Sequence, residues 1–401
     1  MMRQILLLLS LIFETFTVTV AQNTTNLPTS FYGVGELNMS DGGHYAGIGN
    51  MGIALNKMGF QNTLNPAAIT RMDTTCFTFD VGMVSSYSRY SFLGNHSSNN
   101  AGNPNRINMS FRVLPRWYAM IGFAPFSSVG YVIQTQEQVE GTANSTVNSL
   151  FEGNGGLYRF YLTNAYALTK HLSIGANIGF VSGSINQTET QEGTTITYES
   201  KKKAFYADFG MHYEFSTSNK RNWSLGFVYA LPFALKQKND LTYSSSSTSN
   251  GMDVPFSKVP QYLPQRIGGG IAMSTPRWVI TADYNWLDWS RNSPSTTLEE
   301  YQNQHKINLG TIYTVNTRTP RSIELMGGVG YNNSYIMIND GKMSNLEVSA
   351  GVSFPIRYSY LSLGATWRKQ MNTRKDLMQE TRWSFNLNVT FGERISRFKL
   401  K

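Results

Sequence analysis

The chain has 401 residues, a net charge of +9, a mean hydropathy of -0.28 and an aromatic share of 13%. Its one cysteine, Cys76, excludes an intramolecular disulfide and a thiol–metal framework. Beyond the amino terminus no segment approaches eighteen consecutive apolar residues, which excludes helical membrane spans. Length alone would permit two or three soluble domains.

Met1 to Arg3 form a basic start, Ile5 to Phe13 an apolar run interrupted by Glu14, and Thr19-Val20-Ala21 a small-residue cleavage site. Residues 1–21 therefore read as a secretory signal peptide, since the apolar run is too short to span a bilayer. Residues 22–75 carry Gly33, Gly35, Gly42, Gly43, Gly47, Gly49, Gly52 and Gly59 among short apolar pieces. They are too many for a linker and too few for a strong separate core. The composition predicts a plug folded into a lumen, with a disordered periplasmic tail as the alternative. Gly47-Ile48-Gly49-Asn50-Met51-Gly52 matches a dinucleotide fingerprint by letters. No strand precedes it and no crossover helix follows, so nucleotide binding is not read from it.

From residue 76 onward the chain alternates. Phe205, Ala207, Phe209, Met211, Tyr213 and Phe215 share a face opposite Tyr206, Asp208, Gly210, His212 and Glu214. Trp383, Phe385, Leu387, Val389 and Phe391 oppose Ser384, Asn386, Asn388 and Thr390, with aromatics at both ends. A strand places successive side chains on opposite faces, and about 9–11 residues cross a bilayer obliquely. Apolar outer faces, small or polar inner faces and aromatic ends are the pattern of an outer-membrane barrel. Fourteen strands are predicted, near 76–92, 105–114, 117–134, 156–168, 171–186, 203–215, 222–236, 263–274, 277–290, 305–316, 322–337, 343–356, 358–370 and 381–393. Tight turns alternate with long polar loops at 93–104, 135–155, 187–202, 237–262 and 291–304, the former periplasmic and the latter external. The expected fold is all-β: a 14-stranded antiparallel transmembrane β-barrel over 76–401, with a hatch over 22–75 in its lumen.

Asn65-Pro66-Ala67, the glycine-rich segment it ends, and the strand count together resemble the FadL-type long-chain fatty acid transporters. Further marks are Gly122-Phe123-Ala124-Pro125-Phe126-Ser127-Ser128-Val129-Gly130-Tyr131, Glu152-Gly153-Asn154-Gly155-Gly156-Leu157 and Leu263-Pro264-Gln265-Arg266-Ile267-Gly268. The resemblance covers nearly the whole mature chain. It implies an outer-membrane channel for long-chain fatty acids or similar hydrophobic small molecules, captured outside and released sideways through a kinked third strand. Asn65, Pro66 and Ala67 are then hatch positions, and Gly122, Pro125 and Gly130 mark the lateral opening. Pro125 lacks an amide hydrogen, so it removes a ladder bond from mid-strand; an ordinary bulge is the other reading. Asn65 and Pro66 equally suit a turn that pins the hatch to the wall. Val147, Leu150 and Phe151, apolar within loop 135–155, are candidates for the capture surface or for local packing.

The expected partners are a fatty-acid-like ligand and outer-membrane lipid and lipopolysaccharide, met by a monomer. Neither nucleic acid nor a cofactor is expected: in an exported chain the positive charge serves lipid head groups or loop solvation. His44, His96, His171, His212 and His305 lack ligand spacing. A FadL-like interaction protein of a secretion system is the alternative function. An outer-membrane phospholipase is a weaker one, since no serine motif stands beside a histidine.

Overall fold

The structure, a computed structural model, describes residues 28–38, 43–57, 59–72, 76–92, 94–138, 146–217, 221–245, 248–254, 259–294, 299–317, 322–356, 359–372, 374 and 377–394. The signal peptide read at 1–21 lies outside them.

The barrel strands are β1 (Cys76–Phe92), β2 (Asn95–Leu114), β3 (Trp117–Gln138), β4 (Thr146–Ala167), β5 (Leu172–Gln191) and β6 (Thr194–Thr217). Strand β7 has two segments, Arg221–Ala230 and Phe233–Ser245, and β8 has three, Thr248–Val254, Gln261–Leu263 and Gln265–Ser274. Pro232 and Pro264, which can donate no ladder bond, stand in the interruptions. Then follow β9 (Trp278–Asp288), β10 (Gln304–Thr314), β11 (Glu324–Asn333), β12 (Met343–Ile356), β13 (Ser359–Asn372) and β14 (Gln379–Arg394). Neighbours pair antiparallel, and β1 pairs with β14 from Cys76 opposite Arg394 to Ser91 opposite Gln379, which closes fourteen strands into a barrel.

Alternation sets the two faces. Along β6, Phe205, Phe209, Met211 and Tyr213 point outward and are exposed, while Asp208, Gly210 and His212 are buried inside. Leaving one such apolar side chain in water instead of burying it forfeits about 1.5–3 kcal/mol. An outer belt of them is stable only in hydrocarbon, which makes this a transmembrane barrel.

The long external loops are a correction. β2 already begins at Asn95, β4 at Thr146, and β5 and β6 run on to a turn at Glu192 and Gly193, both with positive φ (46° and 79°). Most of 93–104, 146–155, 187–202 and 237–254 is thus strand. Apolar alternation marks only the belt that touches lipid; polar continuations beyond it pair equally well through their backbones and give no such signal.

The described residues between 28 and 72, the hatch, are mostly buried and contact residues of several barrel strands. They form three short 3-10 turns, Pro28–Phe31, His44–Ile48 and Pro66–Arg71, and one strand, Glu36–Leu37. Beyond the ends of β9 and β11, Trp289, Tyr301, Tyr335 and Ile336 pack into one cluster, with Trp289 stacked on Tyr335 at 4.3 Å. The Tyr335 hydroxyl donates to the Gly35 carbonyl at 2.6 Å and ties this apolar cluster to the hatch.

Candidate functional site

The hatch rests on a stripe of inward-facing glycines. A Cβ at Gly175 would stand 2.6 Å from the Pro66 carbonyl carbon, one at Gly351 2.7 Å from Gly47 Cα, and one at Gly328 2.5 Å from the Ile48 oxygen. Main chain lies directly on main chain there, which no larger residue permits. Polar inner side chains then take up hatch backbone groups. Asp283 accepts from the Gly52 and Ile53 amides at 2.6 and 2.8 Å. His212 Nε2 meets the Ala54 oxygen at 2.9 Å, and Ser224 donates to that oxygen at 2.8 Å. Asn65 caps the turn Pro66–Arg71 by accepting from the Ala67 amide at 3.0 Å, and donates to the Ile53 and Met211 oxygens at 2.7 and 3.1 Å. Asn65, Pro66 and Ala67 are all buried on the wall, between β5 and β6.

Among the described residues the longest break in the wall is a seam between β2 and β3. β2 and β3 pair only from Ile107 opposite Phe123 to Leu114 opposite Trp117. Beyond that, β2 stays on β1 and β3 stays on β4, so the two diverge. Gly122 lies in the paired part just below, where its missing side chain leaves room for Tyr161, whose hydroxyl donates to Asn108 Oδ1 at 2.6 Å. Pro125 sits where the β3–β4 register shifts by one residue. The hatch covers part of the β3 edge so exposed. Glu36 and Leu37 pair with Ser128 and Ser127, and the Asn38 amide donates to the Phe126 oxygen at 2.9 Å. Ser30 Oγ accepts from the Gly130 amide at 3.1 Å and donates to the Gly130 oxygen at 3.2 Å, standing in for a ladder partner.

The other end of the same hatch strand is latched electrostatically. Glu36 Oε1 accepts from Arg368 Nη2 and Arg382 Nη1, each at 2.6 Å. Glu380 accepts from Arg382 Nε at 2.7 Å and Arg368 Nη2 at 3.3 Å. Burial pushes the Glu36 carboxyl up, but Arg382 and then Arg368 outweigh it and hold the group well below the usual carboxylate range.

Behind the seam lies a chamber of about 340 Å³. Ser86, Asn103 and Asn105 from one flank and Pro125 and Ser128 from the other line it. Its cations are Arg266, Lys306, Arg368 and Arg382. Its carboxylates are Glu36, Asp283, Glu347 and Glu380, equal in number. The capture candidates are elsewhere: Val147, Leu150 and Phe151 lie on strand β4, all half-buried, and Phe151 packs against the Val129–Tyr131–Ile185 cluster.

A family model described as BamG matches residues 1–397. The chain belongs to the BamG family. A search of curated proteins returned no match. Among solved structures, this BamG-family chain is similar to the CymD monoaromatic hydrocarbon channel (TM-score 0.58, 14% identity, 89% of this chain and 98% of that one). It is likewise similar to the P. putida toluene transporter TodX (TM-score 0.60, 15%, 89% and 100%). A Pseudomonas aeruginosa FadL homologue gives a TM-score of 0.59 at 14% identity over 89% and 99% of the two chains. At such identity the shared property is the fold, which is that of the FadL-type barrels.

Sequence reasoning missed Ser30, Glu36, Asp283, Arg368 and Arg382. Charged residues on the inner face of a strand were the available signal, since burial of a charge demands a partner; nothing in the spacing says that the partner of Asp283 is a turn some 230 residues earlier.

Proposed function

We propose that the chain is an outer-membrane barrel that exchanges lipophilic molecules between its lumen and the bilayer through the seam between β2 and β3, with the hatch strand Glu36–Leu37 as the gate. The interrupted β2–β3 ladder carries this reading. Uncovered strand edges are costly in hydrocarbon, and a barrel with no use for an opening would zip the two strands to their ends. Gly122, Pro125 and Gly130 belong to the seam in this reading, Asn65, Pro66 and Ala67 to the fixed seat of the hatch, and Val147, Leu150 and Phe151 to an outer surface that ligand meets first. The hydrocarbon channels and toluene transporters that share the fold support it. The test is a double variant, Leu37→Cys with Ser127→Cys. Directly opposed residues in an antiparallel pair have Cα atoms about 4.5–5.5 Å apart, within disulfide reach. Uptake of labelled toluene or oleate by a deletion strain should be restored by the wild-type chain, blocked by the oxidised variant and recovered on reduction. Equal uptake in both redox states would refute a moving gate.

A second reading is favoured by one observation. Part of the lumen is occupied by the protein's own Trp289, Tyr301, Tyr335 and Ile336 beside a hatch held at many points. Such a barrel suits an interaction component that moves nothing. Uptake that is indifferent to deletion as well as to the disulfide would favour it.

A further inference from the structure

The chamber behind the seam has the wrong chemistry for a plain hydrocarbon. Its wall carries four cations and four carboxylates, among asparagines such as Asn38, Asn105, Asn308 and Asn386. Displacing solvent from these groups with an alkyl chain would remove whatever hydrogen bonds they make to water beyond those to one another and to the hatch, at a cost that apolar contact does not offset. Nor does the wall favour a lone anion such as a carboxylate, because its charges cancel. Asp283 Oδ1, Gln304 Oε1 and Arg368 Nε, buried atoms of residues that line the chamber, form no hydrogen bond among the described residues, which leaves a carboxylate oxygen, an amide oxygen and a guanidinium N–H to be met there. The seam beside the chamber opens onto the apolar belt, where Ile107 and Phe160 are exposed.

We infer that the chamber receives the polar head of a zwitterionic amphiphile, one cation and one anion on a lipid tail, with the tail passing out between β2 and β3. The inference rests on the lateral-exchange reading for the role of the seam and names the class of molecule handled there. An ammonium group finds Asp283 and Glu347, a phosphate finds Arg368 and Lys306, and the tail never leaves an apolar medium. No bond is made or broken.

Native mass spectrometry of the full chain in a maltoside detergent tests this, with dipalmitoyl phosphatidylethanolamine, palmitate and hexadecane titrated in parallel. Phosphatidylethanolamine should be retained about tenfold better than either, the value of roughly one charge-assisted hydrogen bond. Glu347→Gln, which leaves the wall with one excess positive charge, should shift retention toward palmitate, and Lys306→Gln should weaken phosphatidylethanolamine without helping palmitate. Heat-modifiable gel mobility verifies that each variant is folded. Equal retention of hexadecane or palmitate by the wild type, or selectivity unmoved by Glu347→Gln, overturns the inference. Gating of uptake by the disulfide of the Leu37→Cys, Ser127→Cys variant is a separate readout: if it holds while phosphatidylethanolamine is not retained, only the choice of ligand fails.

Discussion

Replacing Glu36 with Gln should loosen the hatch strand Glu36–Leu37 without unfolding the barrel. The carboxylate accepts two guanidinium hydrogen bonds at 2.6 Å from side chains that are only 13–20% exposed. Hydrogen bonds to charged groups contribute about 1.5–3 kcal/mol each. Both arginines keep Glu380, and the Gln oxygen still accepts one bond, so the net loss falls near 2 kcal/mol. That is roughly a thirtyfold rise in the population of the undocked strand. The reporter is the Asn38 amide, which donates to the Phe126 oxygen; its hydrogen exchange should accelerate by that factor while amides of β9 and β10 keep their protection. Unchanged exchange at Asn38 in a folded variant would show that the latch holds nothing.

The same carboxyl gives a pH prediction. Its folded pKa is lowered, so its stabilisation is complete above the ordinary carboxylate value of about 4.3 and is lost only as pH falls through the lower folded value; Asn38 protection, corrected for intrinsic rates, should not differ between pH 7 and pH 5. Asp283→Ala strands the Gly52 and Ile53 amides and should cost about 2–4 kcal/mol of hatch docking, read as faster exchange at those two amides. Gly210→Val drives a side chain into Asn65 and Pro66, an overpacking worth about 1–3 kcal/mol that should lower Tm, whereas Gly269→Ala, with nothing within 4 Å, should leave it unchanged or raised.

The lipid belt was legible because hydrocarbon forces strict alternation: Phe209 and Met211 face out and Gly210 and His212 face in wherever the strand crosses. The glycines of the inner face were legible as small, but their use was not, since close approach to Pro66 or Ile48 is a fact about a distant segment. Pro125 announced an irregularity by its missing amide hydrogen; that β2 parts from β3 there depends on β2 remaining with β1, which no local pattern records. Polar hairpins such as β5–β6 read as loops because neither face carries an apolar signature. The latch was hidden for the reason that Asp283 was: a charge on an inner face demands a partner, and Glu36 lies some 330 residues from Arg368.

A cryo-electron microscopy map of the chain in lipid nanodiscs decides whether the wall is open at the seam. It should show β2 and β3 parting beyond Ile107 and Phe123, with Glu36 and Leu37 on the edge at Ser128 and Ser127. A ladder continuing from Arg106 to Asn95 along β3, with the hatch strand displaced from that edge, would contradict it.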